Sequence, residues 1–232
     1  MVEIKGIEKL APKDYPGHIS ATVFLGGCNF RCPFCHNRDL VLHPDKMPAF
    51  PMDYFISFLD ARDGWLEGIC ITGGEPLIHE DLEVLLRLIR DRGLKIKLDT
   101  NGSYPDRLKK FVDSGLVDAV AMDVKAASGD YNRACGIKVA LDAIQRSLDL
   151  IARSRMEAVF RTTAVPGIID EDAVRMIGEW LPGNVLFQLQ QFSSGSTLKP
   201  EYETIKPYSP ARLKELAAVA GEYFSEVRVE GI

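Results

Sequence analysis

No run of apolar residues in this sequence comes near the roughly 20 consecutive ones that a membrane-spanning helix needs. The opening Met1-Val2-Glu3-Ile4-Lys5-Gly6 lacks the apolar core of a secretory leader. Basic residues are not in excess. With 28 Lys and Arg against 33 Asp and Glu the net charge is −5, which argues against a general nucleic-acid binder while leaving room for a local basic groove. Cysteine is scarce, five in 232 residues, and the odd count does not read as a disulfide framework. Repeats, low-complexity tracts and long linkers are missing as well. These absences point to a cytoplasmic protein built as a single domain, 1–232.

The length suits one α/β barrel-like unit and suffices to bury a core without staples. Short, β-branched, mostly apolar runs predict buried strands at 19–25, 67–72, 94–100, 117–124, 157–165 and 184–192. Between them, apolar residues at three- and four-residue spacing predict helices over 52–61, 80–91, 105–114, 140–154 and 170–180. A last helix over 210–223 precedes a strand-like 226–230. Gly93 and Gly115 stand where a helix end wants a left-handed residue, and Asp170 where a helix start wants a cap. The stretch APKDYPG at 11–17 reads as the turn of an N-terminal hairpin spanning about 3–25. Alternation of this kind implies parallel strands joined by right-handed crossovers. Six such units favour a partial (β/α)6 TIM-like barrel with an N-terminal hairpin; a doubly wound open sheet is the alternative that periodicity does not exclude.

Three of the five cysteines fall in one loop at 26–37, GGCNFRCPFCHN, directly after the first apolar strand. Barrel enzymes set their chemistry on such loops. Thiolates at Cys28, Cys32 and Cys35, spaced C-x3-C-x2-C, suit three corners of a cubane, and their softness favours iron-sulfur or zinc. A structural cluster takes four cysteines, so three leave one iron open for catalysis. Cys70, inside an apolar strand, reads as a small core residue, and Cys135, before Gly136, as a loop residue without a partner. A Cys3His zinc site using His36 is the bland alternative, but adjacent Cys35 and His36 are poorly placed to converge on one ion.

The cysteine motif, with aromatic Phe34 before its last cysteine, resembles the signature of the radical S-adenosylmethionine superfamily. Further motifs follow in that family's order at strand ends: Thr72-Gly73-Gly74-Glu75-Pro76, Asp99-Thr100-Asn101-Gly102, Asp123-Val124-Lys125, then Arg161 and Val165-Pro166-Gly167. Cys35-His36-Asn37, LDTNG at 98–102, DVK and VPG together are similar to the glycyl-radical-enzyme activating enzymes. Within that group, Asp14-Tyr15-Pro16-Gly17 followed by ISATVFLGGCNFRCPFCHN is similar to activating proteins of anaerobic ribonucleoside-triphosphate reductase.

The resemblance implies one 4Fe-4S cluster on Cys28, Cys32 and Cys35, whose open iron takes the amino and carboxylate groups of S-adenosylmethionine, the cosubstrate. One electron breaks the sulfonium–carbon bond, and the resulting 5′-deoxyadenosyl radical takes hydrogen from a glycine. That step is downhill, because the primary C–H bond formed is stronger than a peptide glycine Cα–H bond. Gly73 and Gly74 let backbone approach the methionine amine, or else make a plain tight turn. Glu75 orients that loop, or is merely exposed. Phe34 and the backbone through His36 would pack beside the adenine, with Asn37 also among the cofactor-binding residues. Asp123 and Lys125 share a strand face, and Lys125 pairs with the methionine carboxylate. Asp99, Thr100 and Asp123 would help hold a monovalent cation near it, and Asn101 is among the cofactor-binding residues; helix capping by a loop residue is the plainer role for Asp99. Arg161 reaches the ribose or carboxylate, or forms a surface salt bridge worth little. Gln190 stands where some relatives place a histidine near the cofactor. His18, His43 and His79 take no catalytic role.

The implied partner is a glycyl radical enzyme, anaerobic ribonucleotide reductase first and a pyruvate formate-lyase-like enzyme second, with a flavodoxin or ferredoxin as electron donor. Neither nucleic acid nor membrane is expected. A radical enzyme acting on a small molecule or peptide is the alternative function, and a zinc-stabilised binding module without catalysis the third.

Overall fold

A computed structural model describes residues 2–232. The chain opens with a hairpin of β1 (Ile4–Glu8) and β2 (Ser20–Leu25), antiparallel, with Ile4 opposite Leu25 and Glu8 opposite Thr22. There follow α1 (Arg38–Leu42), α2 (Met52–Asp60), β3 (Gly68–Gly73), α3 (Leu82–Arg90), β4 (Lys95–Thr100), α4 (Pro105–Asp113) and β5 (Ala119–Asp123). The rest is α5 (Tyr131–Cys135), α6 (Leu141–Arg153), β6 (Glu157–Ala164), α7 (Glu171–Trp180), β7 (Leu186–Gln191), α8 (Pro210–Ala220) and β8 (Val227–Glu230). Hydrogen bonding orders the strands as they occur in sequence, β1 to β8. The pairs β2–β3, β3–β4, β6–β7 and β7–β8 are parallel. A doubly wound sheet reverses its order part-way. This one never does, so the expected α/β class with the topology of a partial barrel after a hairpin stands.

The chain forms two compact units: residues 1–29, 39–100 and 106–120, and residues 30–38, 101–105 and 121–232. In the first, Ala21, Val23 and Leu25 of β2, Ile69 and Ile71 of β3, and Ile96 and Leu98 of β4 are fully buried. Neighbouring positions on β3, Ile69-Cys70-Ile71, are buried together, as in parallel strands covered on both faces. Leu82, Leu85, Leu86 and Ile89 form the single apolar stripe of α3. In the second unit the core gathers Phe160 of β6, Phe187 and Leu189 of β7, and the apolar stripes of α6, α7 and α8. The Phe187 and Phe224 rings stack with centroids 4.5 Å apart. Among the described residues no helix is long and apolar enough to cross a membrane.

Helix ends follow their residues. Gly93 and Gly115 adopt φ of +74° and +66° after α3 and α4. The Asp170 carboxylate accepts the Ala173 N–H at 2.9 Å and caps α7. Asp170→Ala is expected to cost about 1 kcal/mol, read as a drop in Tm of about 2–4 °C. Asp172→Ala, in the same turn but exposed, should stay within about 0.5 kcal/mol of the parent.

Candidate functional site

In the first unit, β2 ends at Leu25 and runs through Gly26-Gly27 into Cys28, while β3 ends at Gly73. The two ends interlock. Gly74 N–H donates to the Leu25 carbonyl and Glu75 N–H to the Gly27 carbonyl, both at 2.9 Å. A Cβ on Gly74 would stand 1.7 Å from the Gly27 oxygen, and one on Gly73, at φ +122°, 2.3 Å from the Leu25 oxygen. The close approach that both glycines permit is therefore to protein backbone, and it braces the segment leading into Cys28. Glu75 is fully buried. Its carboxylate accepts the Leu77 N–H at 3.0 Å and the Thr100 hydroxyl at 2.8 Å, tying the end of β3 to the end of β4.

Asp99 is buried and ion-paired with Lys97, with the Cys70 thiol 3.5 Å from the same carboxylate. Sequence reasoning passed over Lys97. Its signal was there: two residues along a strand share a face, and KIKLD places Lys97 and Asp99 on one.

In the second unit, the loop 30–38 carries Cys32 and Cys35, with Cys35 N–H donating to the Cys32 carbonyl at 3.1 Å. Cys135 corrects an expectation. It is not a loop residue without a partner but the last residue of α5, fully buried and hydrogen-bonded to Cys32, with Gly136 ending the helix at φ +66°. That hydrogen bond chiefly draws the Cys32 thiol below its ordinary range, against its burial and with help from the Lys125 charge. Burial pushes the Cys35 thiol up, partly offset by Lys125.

Asp123, at the end of β5, joins two cations. Lys125 Nζ donates to Asp123 Oδ2 at 2.8 Å and Arg161 Nε to Asp123 Oδ1 at 2.6 Å. Arg161 is thus part of a partly buried ion triad and not a surface salt bridge. Burial disfavours the Asp123 charge, but the Arg161 guanidinium and then the Lys125 ammonium hold the carboxyl well below the usual range. Burial also works against Lys125, yet Asp123, with Cys32 and Cys35, holds its ammonium well above the usual lysine range.

The remaining expected residues are spread more widely. Phe34 is buried beside Tyr202, and His36 is exposed with Nδ1 2.9 Å from the Gly195 carbonyl. Asn37 is half-buried in the same loop. Asn101 is buried, its Oδ1 accepting the Ser103 N–H at 3.0 Å. Gln190 sits half-buried in β7, in register with Thr163 and Glu230. Among the described residues no three His, Cys, Asp or Glu side chains converge as a metal-ion group, and none of the five cysteines is in a disulfide.

A family model described as the Radical SAM superfamily matches residues 22–179, more than half of the chain. The chain belongs to that superfamily. Among its relatives is a protein of Methanocaldococcus jannaschii named as a glycyl-radical enzyme activating enzyme, 31% identical over 99% of this chain and 96% of that one. The pyruvate formate-lyase-activating enzyme of Streptococcus mutans is 28% identical over 82% and 74% of the two chains. Among solved structures, SuiB of Streptococcus suis bound to S-adenosylmethionine has a TM-score of 0.68 at 16% identity, covering 88% of this chain and 48% of that one. This chain spans about half the length of SuiB, and the likeness between them is one of fold.

Radical SAM membership makes this an enzyme that works with a 4Fe-4S cluster and S-adenosylmethionine. The donors fit. The C-x3-C-x2-C loop has soft thiols of the kind such a cluster takes, three of which would leave one iron open, and the Lys125 charge favours the thiolate form at both Cys32 and Cys35.

Proposed function

We propose that this chain is an activase that installs a glycyl radical on anaerobic ribonucleoside-triphosphate reductase, with Cys28, Cys32 and Cys35 holding the cluster. The observation that carries the activase reading is the match over 99% of this chain to the Methanocaldococcus jannaschii protein named as a glycyl-radical enzyme activating enzyme; the reductase as partner rests on the resemblance of residues 14–37. When bound, the cluster and S-adenosylmethionine supply the electron transfer and the carbon radical that takes hydrogen from glycine. The chain's own residues place them. Lys125 and Arg161 share the single carboxylate of Asp123, so the triad keeps a net positive charge. That charge suits the methionine carboxylate of S-adenosylmethionine, which Lys125 or Arg161 would pair. Glu75 holds the Gly73-Gly74 turn in shape through Leu77 and Thr100, and that turn in turn fixes the approach to Cys28. A flavodoxin or ferredoxin would deliver the electron.

The test is anaerobic. Reconstituted protein, reductant and S-adenosylmethionine are incubated separately with the reductase and with a pyruvate formate-lyase-like enzyme, and electron paramagnetic resonance is recorded on each partner. A glycine-centred doublet is expected on the reductase. A doublet on the lyase alone reassigns the partner. Formation of 5′-deoxyadenosine with no radical on either protein removes the activase reading and favours a small-molecule or peptide substrate.

A further inference from the structure

Beyond β7, the segment 192–204 runs against the cysteine loop of the same compact unit. Leu198 N–H donates to the Cys35 carbonyl and Lys199 N–H to the Pro33 carbonyl, both at 2.9 Å. The Gly195 carbonyl lies 2.9 Å from His36 Nδ1. The segment's own shape is enforced from within. Thr197 is fully buried; its hydroxyl donates to the Lys199 carbonyl at 2.7 Å, and its N–H to Glu203 Oε1 at 3.2 Å. Ser196 is the only non-glycine among the described residues with positive φ, +48°. A non-glycine residue in that conformation is strained, so the contacts around it must outweigh the strain.

The loop is held from a second direction too. Arg31 N–H donates to the Cys135 carbonyl at 2.9 Å, and Gly136 packs so closely that a Cβ there would stand 2.2 Å from the Arg31 oxygen. Backbone groups of residues 31, 33 and 35 are thus all fixed by protein partners.

We propose that residues 195–203 are a positioning clamp that presets Cys32 and Cys35 for the cluster before it binds. The proposal rests on the reading of these cysteines as cluster ligands. A loop left free would have to order on binding, and that lost chain entropy would weaken the site. Thr197 is its key residue, acting on the loop only through Lys199 and touching no thiol.

The full-length protein tests this in both cluster-free and cluster-loaded forms. In the cluster-free parent, amide hydrogen exchange should find Leu198 and Lys199 protected. In Thr197→Val that protection should fall, loaded protein should release iron to a chelator about tenfold faster, and the resonance spectrum of the reduced cluster should broaden. Thr197→Ser, which returns the hydroxyl, should restore all three. Unprotected amides in the parent, or iron release from Thr197→Val at the parental rate, would overturn the clamp while leaving the ligand reading intact. A parent that binds no cluster, with both amides protected all the same, overturns the ligand reading and the proposal with it.

Discussion

Gly74→Ala should cost about 3 kcal/mol or more, or stop the chain folding. The alanine methyl would fall 1.7 Å from the Gly27 carbonyl oxygen. That neighbour is backbone, so no side-chain rotation relieves the overlap, and overpacking of this kind alone costs about 1–3 kcal/mol. Relief requires the two loops to separate. Separation breaks the bonds from Gly74 N–H to Leu25 and from Glu75 N–H to Gly27, at about 1 kcal/mol each. It also displaces the segment that leads into Cys28, so cluster loading should fall with stability. Gly93→Ala is the matched control. Unlike Gly74 it has positive φ, but nothing lies within 4 Å of its Cβ, so only backbone strain of about 1–2 kcal/mol applies. Urea denaturation reads stability and visible absorbance after reconstitution reads loading. A Gly74→Ala protein as stable as Gly93→Ala would show that the two loops are not locked together.

Much of the scaffold was legible because local chemistry and global fold agree at those positions. The apolar runs became strands within two residues of their expected limits, since strands covered on both faces need continuous apolar sequence. Asp170, Gly93 and Gly115 marked helix ends through capping preferences that act over three or four residues. Other features had no local signature. α1 and α5 are five residues each, too short for a helical period to show. The environment of Cys135 depends on Cys32, far away in sequence, which no spacing rule connects. At the site, the residue types of the Gly-Gly-Glu turn were readable, but not that its glycines are required by the Leu25–Gly27 backbone. Asp123 and Lys125 are legible as one strand face; the bond from Arg161 to Asp123 arises only because β5 and β6 bring the two side by side.

That second bond makes Asp123 the residue whose loss should reach furthest. Asp123→Ala leaves Lys125 and Arg161 without their shared counter-charge. The side chains of Lys125, Arg161 and Asp123 are 17%, 21% and 25% exposed, so water compensates little. The expected cost is about 2–4 kcal/mol, with S-adenosylmethionine cleavage falling about 100-fold or more as the cations lose their fixed geometry. Asp123→Asn separates charge from shape, because it keeps an oxygen for Arg161 while removing the negative charge. Its signature is in pH. A carboxyl held below its unfolded value contributes stability that is present above that value, about pH 4, and lost as pH falls through the lower folded one. Lys125 is held above its unfolded value, so its share is present below about pH 10 and lost only as pH rises through the higher folded one. In Asp123→Asn both limbs should flatten together, since the carboxylate is gone and the ammonium has lost its main partner. Urea titrations of parent and variant across acid, neutral and alkaline pH read this directly. If the two proteins lose stability in parallel at both extremes, the triad carries no charge coupling, and Asp123 holds its place by shape alone.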